Sequence, residues 1–288
     1  MVDTSNNGNN TQRASSLSDS SANVIQKECE KFNNSNILEG MTSISAAIQG
    51  IRAGVNARVL QTVFVDRQKL KSKAREIGFL RAVSGELNFE IEIVDEEWID
   101  RMTVGSTHGG IIAKCSDRPL PSLADEFSNP ATFGNPNGFY VLPEGIEDPY
   151  NFGYALRSLY AAGVTGIILS ERNWMGAAGV VSRASAGASE MLDMFIASGE
   201  DAVEAFRSLN YKIICAGIRN SVSIYDADMK KPIFLIIGGE KRGISSSVLQ
   251  KADQIVRIDY DSKFRGSLSA ASSSAIIGFE IMHQNKIM

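Results

Sequence analysis

The sequence has little of what metal sites and disulfide frameworks require. It contains three cysteines and two histidines in 288 residues. Cys29, Cys115 and Cys215 are far apart and no C-x-x-C spacing occurs, so neither a disulfide framework nor a zinc site is predicted. We therefore expect a reducing, cytoplasmic setting and no bound metal.

Long apolar runs and a large excess of positive charge are also missing. No window approaches about 18 uncharged apolar residues, so no membrane span is predicted. The first residues lack the basic-then-apolar pattern of a secretory signal. The net charge of -4 argues against a protein that coats nucleic acid non-specifically, while a local basic patch stays compatible with it.

Composition divides the chain into four segments. Residues 1–36 are rich in Asn and Ser and poor in large apolar side chains, which predicts a disordered tail; a transit peptide is less favoured. Residues 37–118 alternate strands and helices, which predicts a small α/β domain with a mainly parallel sheet. Residues 119–137 contain four of the seven prolines and are interpreted as a linker. Residues 138–288 repeat strand–helix units, which predicts a larger parallel α/β domain.

A basic segment lies within the predicted small domain. A helix is predicted around residues 67–81, and its charged residues are almost all cationic, with only Glu76 acidic. They are Arg67, Lys69, Lys71, Lys73, Arg75 and Arg81. Two interpretations stay open at equal weight, namely a solvated helix face and a surface that contacts RNA phosphates.

A polar constellation opens the first helix of the larger domain. Asn151, Gly153 and Arg157 follow a predicted strand, and Asp148 or Asn151 is a candidate N-cap. Gly153 permits close approach of another backbone. Arg157 is either a structural cation that pairs with Glu147 or Asp148, or a functional residue.

The last 56 residues contain two apolar strands that each run into a polar loop. The first loop spans 238–243, and the second spans 259–266 and leads into Ser267-Leu268-Ser269 and a helix of small residues. Loops at the carboxyl ends of neighbouring parallel strands are where α/β sheets bind ligands, so we expect a nucleotide-like cofactor here. A plain tight turn and an ordinary capped helix are the alternatives. NAD and ATP are disfavoured because no G-x-G-x-x-G or Walker pattern occurs.

The order of these motifs closely resembles that of the SpoU (TrmH-like) RNA ribose methyltransferases of the SPOUT class. The shared order is a strand, N-x-G-x-x-x-R on a helix, a strand with G-x-E, an Ile-ended strand, and Ser-Leu opening the last helix. The resemblance covers most of residues 138–288. Residues 183–188 resemble the R-x-S-x-G segment of that family, and residues 108–113 resemble the end of its ribosomal-protein-like, RNA-binding N-terminal domain.

The resemblance implies a trefoil-knotted methyltransferase domain, S-adenosylmethionine as cofactor, rRNA or tRNA as substrate, a homodimer, and methyl transfer to a ribose 2′-hydroxyl without metal. The implied catalytic residues are Arg157, Asn151, Glu240 and Ser267. The implied cofactor positions are Gly238, Gly239, Ile258, Leu268 and Ser269. The RNA-binding candidates are Lys69, Lys73, Lys241, Arg242, Lys263 and Arg265; loop solubility is the alternative for those in the two loops.

Two residues depart from the family pattern. Asp259 stands where a proline is usual, and Ser269 stands where an asparagine is usual. Ser269 keeps a hydroxyl but lacks an amide that both donates and accepts. The leading hypothesis is an RNA 2′-O-methyltransferase. The alternatives are an RNA-binding homologue without turnover, a methyltransferase with another substrate, and, least favoured, a nucleotide-dependent oxidoreductase.

Overall fold

The computed structural model describes residues 36–127, 135–146, 148–171, 173–261, 263 and 265–286. The predicted tail, apart from Asn36, lies outside the described residues, as does part of the predicted linker. Two sheets organise the described chain, one of four strands and one of seven. We call each sheet with its helices the N-terminal unit and the C-terminal unit.

The N-terminal unit has a mixed sheet in the order β1-β4-β2-β3. Its elements are β1 (Ile37–Glu39), α1 (Gly40–Arg52), β2 (Leu60–Asp66), α2 (Ala74–Leu87), β3 (Glu90–Val94), α3 (Glu96–Met102) and β4 (Ile111–Cys115). β2 and β3 are parallel, but β4 runs antiparallel to both of its neighbours, β1 and β2.

The expectation of a mainly parallel sheet is therefore wrong for this unit. α3 has seven residues, about 10 Å of helix at 1.5 Å per residue, which is short for a crossover back to the start of β3. The chain stays at the carboxyl end of β2, where the Asp66 amide donates to the Gly110 carbonyl at 2.8 Å. β4 starts from that end, so it runs in the opposite direction.

The predicted basic helix around 67–81 is also placed differently. Arg67–Lys69 form a 3-10 turn, which Asp66 caps by accepting from the Gln68 amide. α2 begins only at Ala74, so Lys69 and Lys73 precede the helix. A capped turn satisfies the local backbone donors without a continuous helix.

The C-terminal unit has seven strands in the order β7-β6-β5-β10-β8-β11-β9, and every pair is parallel. Its elements are α4 (Leu123–Phe127), β5 (Phe139–Glu144), α5 (Pro149–Ala161), β6 (Gly166–Leu169), α6 (Ala178–Ala184), α7 (Ala188–Met191), β7 (Asp193–Ile196), α8 (Gly199–Ser208), β8 (Lys212–Ala216), β9 (Val222–Ser223), β10 (Ile233–Gly238), α9 (Ser246–Gln250), β11 (Gln254–Arg257) and α10 (Ala270–Gln284).

The central strand β10 is apolar at every position because both faces of the sheet are covered. Leu235 and Ile237 join a buried cluster with α5, α6 and α10. Phe234 and Ile236 join a second cluster with α8 and α9. Strands buried on both sides read as continuous apolar runs, which is why these elements were recognisable in the sequence.

The two units pack closely against each other. Ala178 of α6 is buried in the core of the N-terminal unit. The Arg58 side chain forms a fully buried ion pair with Glu190, Nε to Oε2 at 3.1 Å. The last residue of the predicted small domain contributes as well, because the Arg118 guanidinium donates to the carbonyls of Ser189 and Leu192. Among the described residues, no helix has both the length and the apolarity to cross a membrane.

Candidate active site

A cavity of about 850 Å³ lies at the carboxyl ends of β8, β10 and β11. Three loops form its walls, with lining residues at 216–220, at 237–240 and 243–244, and at 255–260 and 265–268. Its apolar side chains include Ile237, Val256, Leu268 and Ile277. A cavity of this size, with apolar side chains beside polar ones such as Glu240 and Arg265, is typical of a small-molecule site.

The three loops do not come from the two adjacent strands that the sequence predicted. β8 lies between β10 and β11 in the sheet, so the predicted pair of loops flanks a third strand. The loop after β8, with Gly217, Ile218, Arg219 and Asn220, was missed and lines the cavity. Its signal was an apolar strand ending in Ala216-Gly217, the same strand-to-glycine pattern that marked the loop after β10.

Gly238 and Gly239 line the cavity, and a side chain at either position would collide with neighbouring backbone. A Cβ at Gly238 would lie 2.5 Å from the carbonyl carbon of Gly243, and a Cβ at Gly239 would overlap the carbonyl oxygen of Gly145. Gly239 and Gly243 also form a bridge across the turn. The tight turn and the cavity wall are thus one structure, and the turn brings backbone groups to the ligand site.

Glu240 connects the first turns of α5 and α10 beside the cavity. Its Oε1 accepts from Asn151 Nδ2 at 3.2 Å and from the Ala270 amide at 2.9 Å. Glu240 itself lines the cavity. The structure therefore brings together Asn151 and Glu240, which are 89 residues apart in the chain.

The loop after β11 places Ile258, Ser267 and Leu268 in the cavity wall. The Leu268 amide donates to the Tyr260 hydroxyl at 3.1 Å, which closes this loop on itself. Ser269 is the N-cap of α10, and its Oγ accepts from the Ser272 amide at 3.1 Å. Serine and asparagine are both good N-caps, which gives this departure from the family pattern a structural reason.

Asp259, the other departure, joins a polar network at the rim. Its carboxylate accepts from Arg257 Nε at 2.8 Å. The hydrogen bond from Ser223, followed by that from Arg257, lowers the pKa of Asp259. Arg257 also donates to the Ser221 carbonyl at 2.5 Å. This network ties the loop after β8 to the loop after β11.

Arg157 lies on the exposed face of α5 and does not line the cavity. It forms no ion pair or hydrogen bond with any described residue. Asp148, one proposed structural partner, instead caps α5 by accepting from the Asn151 amide at 2.7 Å, and Glu147 lies outside the described residues. Within a single copy of the chain, Arg157 is therefore not part of the cavity wall that contains Glu240 and Ser267.

The predicted RNA-binding residues fall in two places. Arg265 lines the cavity, and the exposed Lys241, Arg242 and Lys263 lie on its loops. Lys69 and Lys73 belong to the N-terminal unit, where Lys73 pairs with Glu76 at 2.9 Å. Phe264, the aromatic residue of this loop, lies outside the described residues. Within the part of the chain that the structure describes, no group of His, Cys, Asp and Glu is arranged to hold a metal ion.

Two family models match the chain, one for each of the two units. Residues 138–279 match the model of the SpoU rRNA Methylase family, and residues 37–121 match that of the RNA 2′-O ribose methyltransferase substrate-binding domain. The chain is 27% identical over 199 residues to the 23S rRNA (guanosine-2′-O-)-methyltransferase RlmB of Shewanella oneidensis, covering 68% of this chain and 79% of that protein. It is 23% identical to the mitochondrial rRNA methyltransferase 1 of Schizosaccharomyces pombe, covering 78% of this chain and 84% of that protein.

Solved structures share the fold. The AdoMet-bound rRNA methyltransferase of Sinorhizobium meliloti superposes with a TM-score of 0.70 at 20% identity, covering 87% of this chain and 88% of that one. The SpoU methyltransferase AviRb of Streptomyces viridochromogenes, in complex with AdoMet, has a TM-score of 0.68 at 22% identity, with coverages of 86% and 89%. The likeness extends over both units.

Proposed function

Because this chain belongs to the SpoU family of RNA methyltransferases, we propose that it transfers a methyl group from S-adenosylmethionine to a ribose 2′-hydroxyl of rRNA or tRNA. The observation that carries the proposal is the contact of Glu240 with both Asn151 and the start of α10 at the cavity wall. This contact joins the family's three separated motifs in one site.

The cavity fits the cofactor in size and in chemistry. Loop backbone at Gly238, Ile258 and Leu268 would bind the adenine, whose faces need apolar contacts and whose edge needs backbone partners. A Cβ at Gly238 or Gly239 would collide with neighbouring backbone, so the loop keeps its peptide groups close to the cavity. The bound cofactor supplies an electrophilic methyl group on a sulfonium.

Arg157 is proposed to bind the 2′-oxygen and the adjacent phosphate. A guanidinium has a pKa above about 12 and is a poor general base. Its role is therefore to orient the hydroxyl and to stabilise the alkoxide that forms, and the phosphate accepts the proton. Asn151 and Glu240 hold the first turns of α5 and α10 in place, and Ser267 supplies a hydroxyl to the site.

We also propose that the protein acts as a homodimer in which Arg157 serves the cavity of the second copy. Two features support this arrangement. Arg157 is absent from the cavity wall of its own chain. Tyr154 on α5 and Phe279 on α10 are 47% and 43% exposed on two helices that pack together, and exposed aromatic side chains are suited to an interface. We likewise propose that the C-terminal unit contains the trefoil knot that the family resemblance implies.

The activity is tested with radiolabelled S-adenosylmethionine and rRNA or tRNA, followed by digestion to nucleosides. We expect label in 2′-O-methylated nucleosides, and a loss of about 10²–10³-fold in Arg157→Ala. Arg101→Ala, which removes an exposed arginine of α3, is the matched control and should keep full activity. RNA and cofactor binding without label transfer would favour the RNA-binding homologue instead.

Subunit complementation tests the shared site. Arg157→Ala and Glu240→Ala are mixed, dissociated and reassociated in equal amounts. If Arg157 acts on the partner's cavity, half of the dimers have one intact site, and the mixture recovers about a quarter of the wild-type activity. No recovery would show that Arg157 acts within its own chain. A monomer by light scattering would contradict the dimer itself.

A further inference from the structure

Arg183, in the R-x-S-x-G segment, lies where the two units meet. Its guanidinium forms an ion pair with Glu39 of β1 and donates from Nη2 to the Tyr150 hydroxyl of α5 at 3.2 Å. The Arg183 side chain is only 21% exposed. One side chain thus contacts both the N-terminal unit and the helix that holds Asn151 and Arg157.

Glu39 is fixed on the other side by the N-terminal unit. Its side chain is almost fully buried, and its Oε1 accepts from the Val104 amide at 2.8 Å. The Gly105 amide lies 3.4 Å from the same oxygen. A Cβ at Gly105 would occupy the position of the Arg183 guanidinium, so the absence of a side chain at residue 105 creates the space for this contact.

The contacts continue from Arg183 towards the cavity. Tyr150 directly precedes Asn151, whose side chain donates to Glu240, which in turn accepts from the start of α10. α5 also lies against α6 with little freedom, because a Cβ at Gly153 would approach the Ala184 Cβ to 2.6 Å. The first turn of α5 is therefore held by Arg183 on one side and by Glu240 on the other.

We propose that Arg183 is a positioning residue that links the RNA-binding unit to the methyl-transfer site. Through Glu39 and Tyr150, the seating of the N-terminal unit sets the position of the first turn of α5 and hence of Asn151 and Arg157. The inference rests on the proposed function and assigns to Arg183, Glu39 and Tyr150 a role in turnover. None of the three lines the cavity.

Three substitutions interrupt the connection at different points. Tyr150→Phe removes the acceptor on α5, Arg183→Lys keeps the charge but removes the planar donor fork, and Gly105→Ala displaces the guanidinium from within the N-terminal unit. The matched control is Gly78→Ala in α2, where an added Cβ meets nothing within 4 Å. For each variant we measure kcat with RNA, cofactor affinity by calorimetry, and Tm.

We expect kcat to fall about threefold to tenfold in all three variants, with cofactor affinity within about twofold of wild type. The double variant Tyr150→Phe with Arg183→Lys should be no worse than the poorer single variant, because both remove the same contact. Gly78→Ala should leave kcat unchanged.

Several results would overturn the proposal. Unchanged kcat in Arg183→Lys would do so, as would a loss that Tyr150→Phe does not share, or losses that only follow the decrease in Tm. Amide hydrogen exchange gives a readout that does not need turnover. Faster exchange in the first turn of α5 is expected in Gly105→Ala and not in Gly78→Ala. If wild type transfers no methyl group but this difference appears, the proposed function fails and the structural connection stands.

Discussion

The cavity and the junction between the two units use polar residues in opposite ways. At the junction, the Arg58 and Glu190 side chains are fully buried and face each other, and Arg118 donates to backbone carbonyls. At the cavity, Glu240 and Arg265 are exposed, and backbone groups of tight loops form much of the wall. The buried charges of Arg58 and Glu190 are paired with each other, whereas the side chains of Glu240 and Arg265 stay accessible to ligands.

This difference predicts which substitutions change stability and which change ligand binding. Removing a buried charge leaves its partner desolvated and unpaired, which lowers the free energy of unfolding. Removing an accessible polar group costs little in the free protein but weakens what the group binds. Junction variants should therefore change stability, and cavity variants should change cofactor affinity.

The largest effect is expected at the junction, in Glu190→Ala. This change leaves the Arg58 guanidinium buried without its carboxylate and should cost about 3–5 kcal/mol of unfolding free energy. Urea denaturation measures it. Glu86→Ala, which breaks the exposed pair with Arg52, is the control and should change stability little. The double variant Arg58→Met with Glu190→Leu should be more stable than Glu190→Ala. Equal stability of the two would mean that the lost side-chain volume, and not the unpaired charge, causes the destabilisation.

A smaller effect is expected at the cavity, in Gly239→Ala. The new Cβ would collide with the Gly145 carbonyl, and backbone on both sides must shift. We expect a loss of about 1–3 kcal/mol in cofactor binding, measured by calorimetry, since the displaced loop forms the cavity wall. Gly163→Ala is the control for an added methyl group at a glycine of positive φ that lies away from the cavity. Its cofactor affinity should be normal, and equal losses in both variants would sink the prediction.

Two buried cysteine thiols, one at the junction and one beside the cavity, test whether burial has the same effect on stability in both regions. Burial raises the pKa of Cys115, at the junction, to about 11, and that of Cys215, one strand residue before the cavity loop, to about 12. An unfolded thiol has a pKa near 8.5, so the unfolded state loses its proton first, and stability is lost as pH rises above about 8.5.

Each thiol should therefore contribute a loss of about 1.4 kcal/mol per pH unit above that point. Urea midpoints between pH 7 and pH 10, in a reducing buffer, should fall less steeply in Cys115→Ala and Cys215→Ala. Ile213→Val, a buried truncation without an ionisable group, should lower the midpoint but keep the slope. An unchanged slope in both cysteine variants would refute the assignment.

The smallest effect is expected for Tyr260→Phe. This change removes the hydroxyl that accepts from the Leu268 amide at 3.1 Å. One hydrogen bond on an exposed loop is worth about 0.5–1.5 kcal/mol, so cofactor affinity should fall a few-fold while Tm stays the same. Tyr225→Phe, at an exposed tyrosine outside the cavity wall, is the control. A lower Tm in Tyr260→Phe would contradict this prediction, because it would show that the loop contributes to stability as the junction residues do.

Many of the helices and strands could be predicted from local sequence patterns. The others could not, because they depend on pairing between distant segments. The apolar runs of β5, β8 and β10 were visible because these strands are buried on both faces. β1 and β9 have three and two residues and were missed, because such short segments carry no usable period. β7, with four residues, was missed as well. The basic segment was correctly identified by charge but wrongly extended as one helix.

The sequence by itself determined the family motifs, the candidate residues and the glycine-bearing loops, because each is a local pattern of a few residues. Only the tertiary structure decided which of them meet. It inserted β8 between β10 and β11 and so added a third loop to the cavity. It joined Asn151 to Glu240 across 89 residues and placed Arg157 outside the cavity of its own chain. It also paired Glu39 with Arg183, because strand order and helix packing depend on contacts between distant segments that no local pattern encodes.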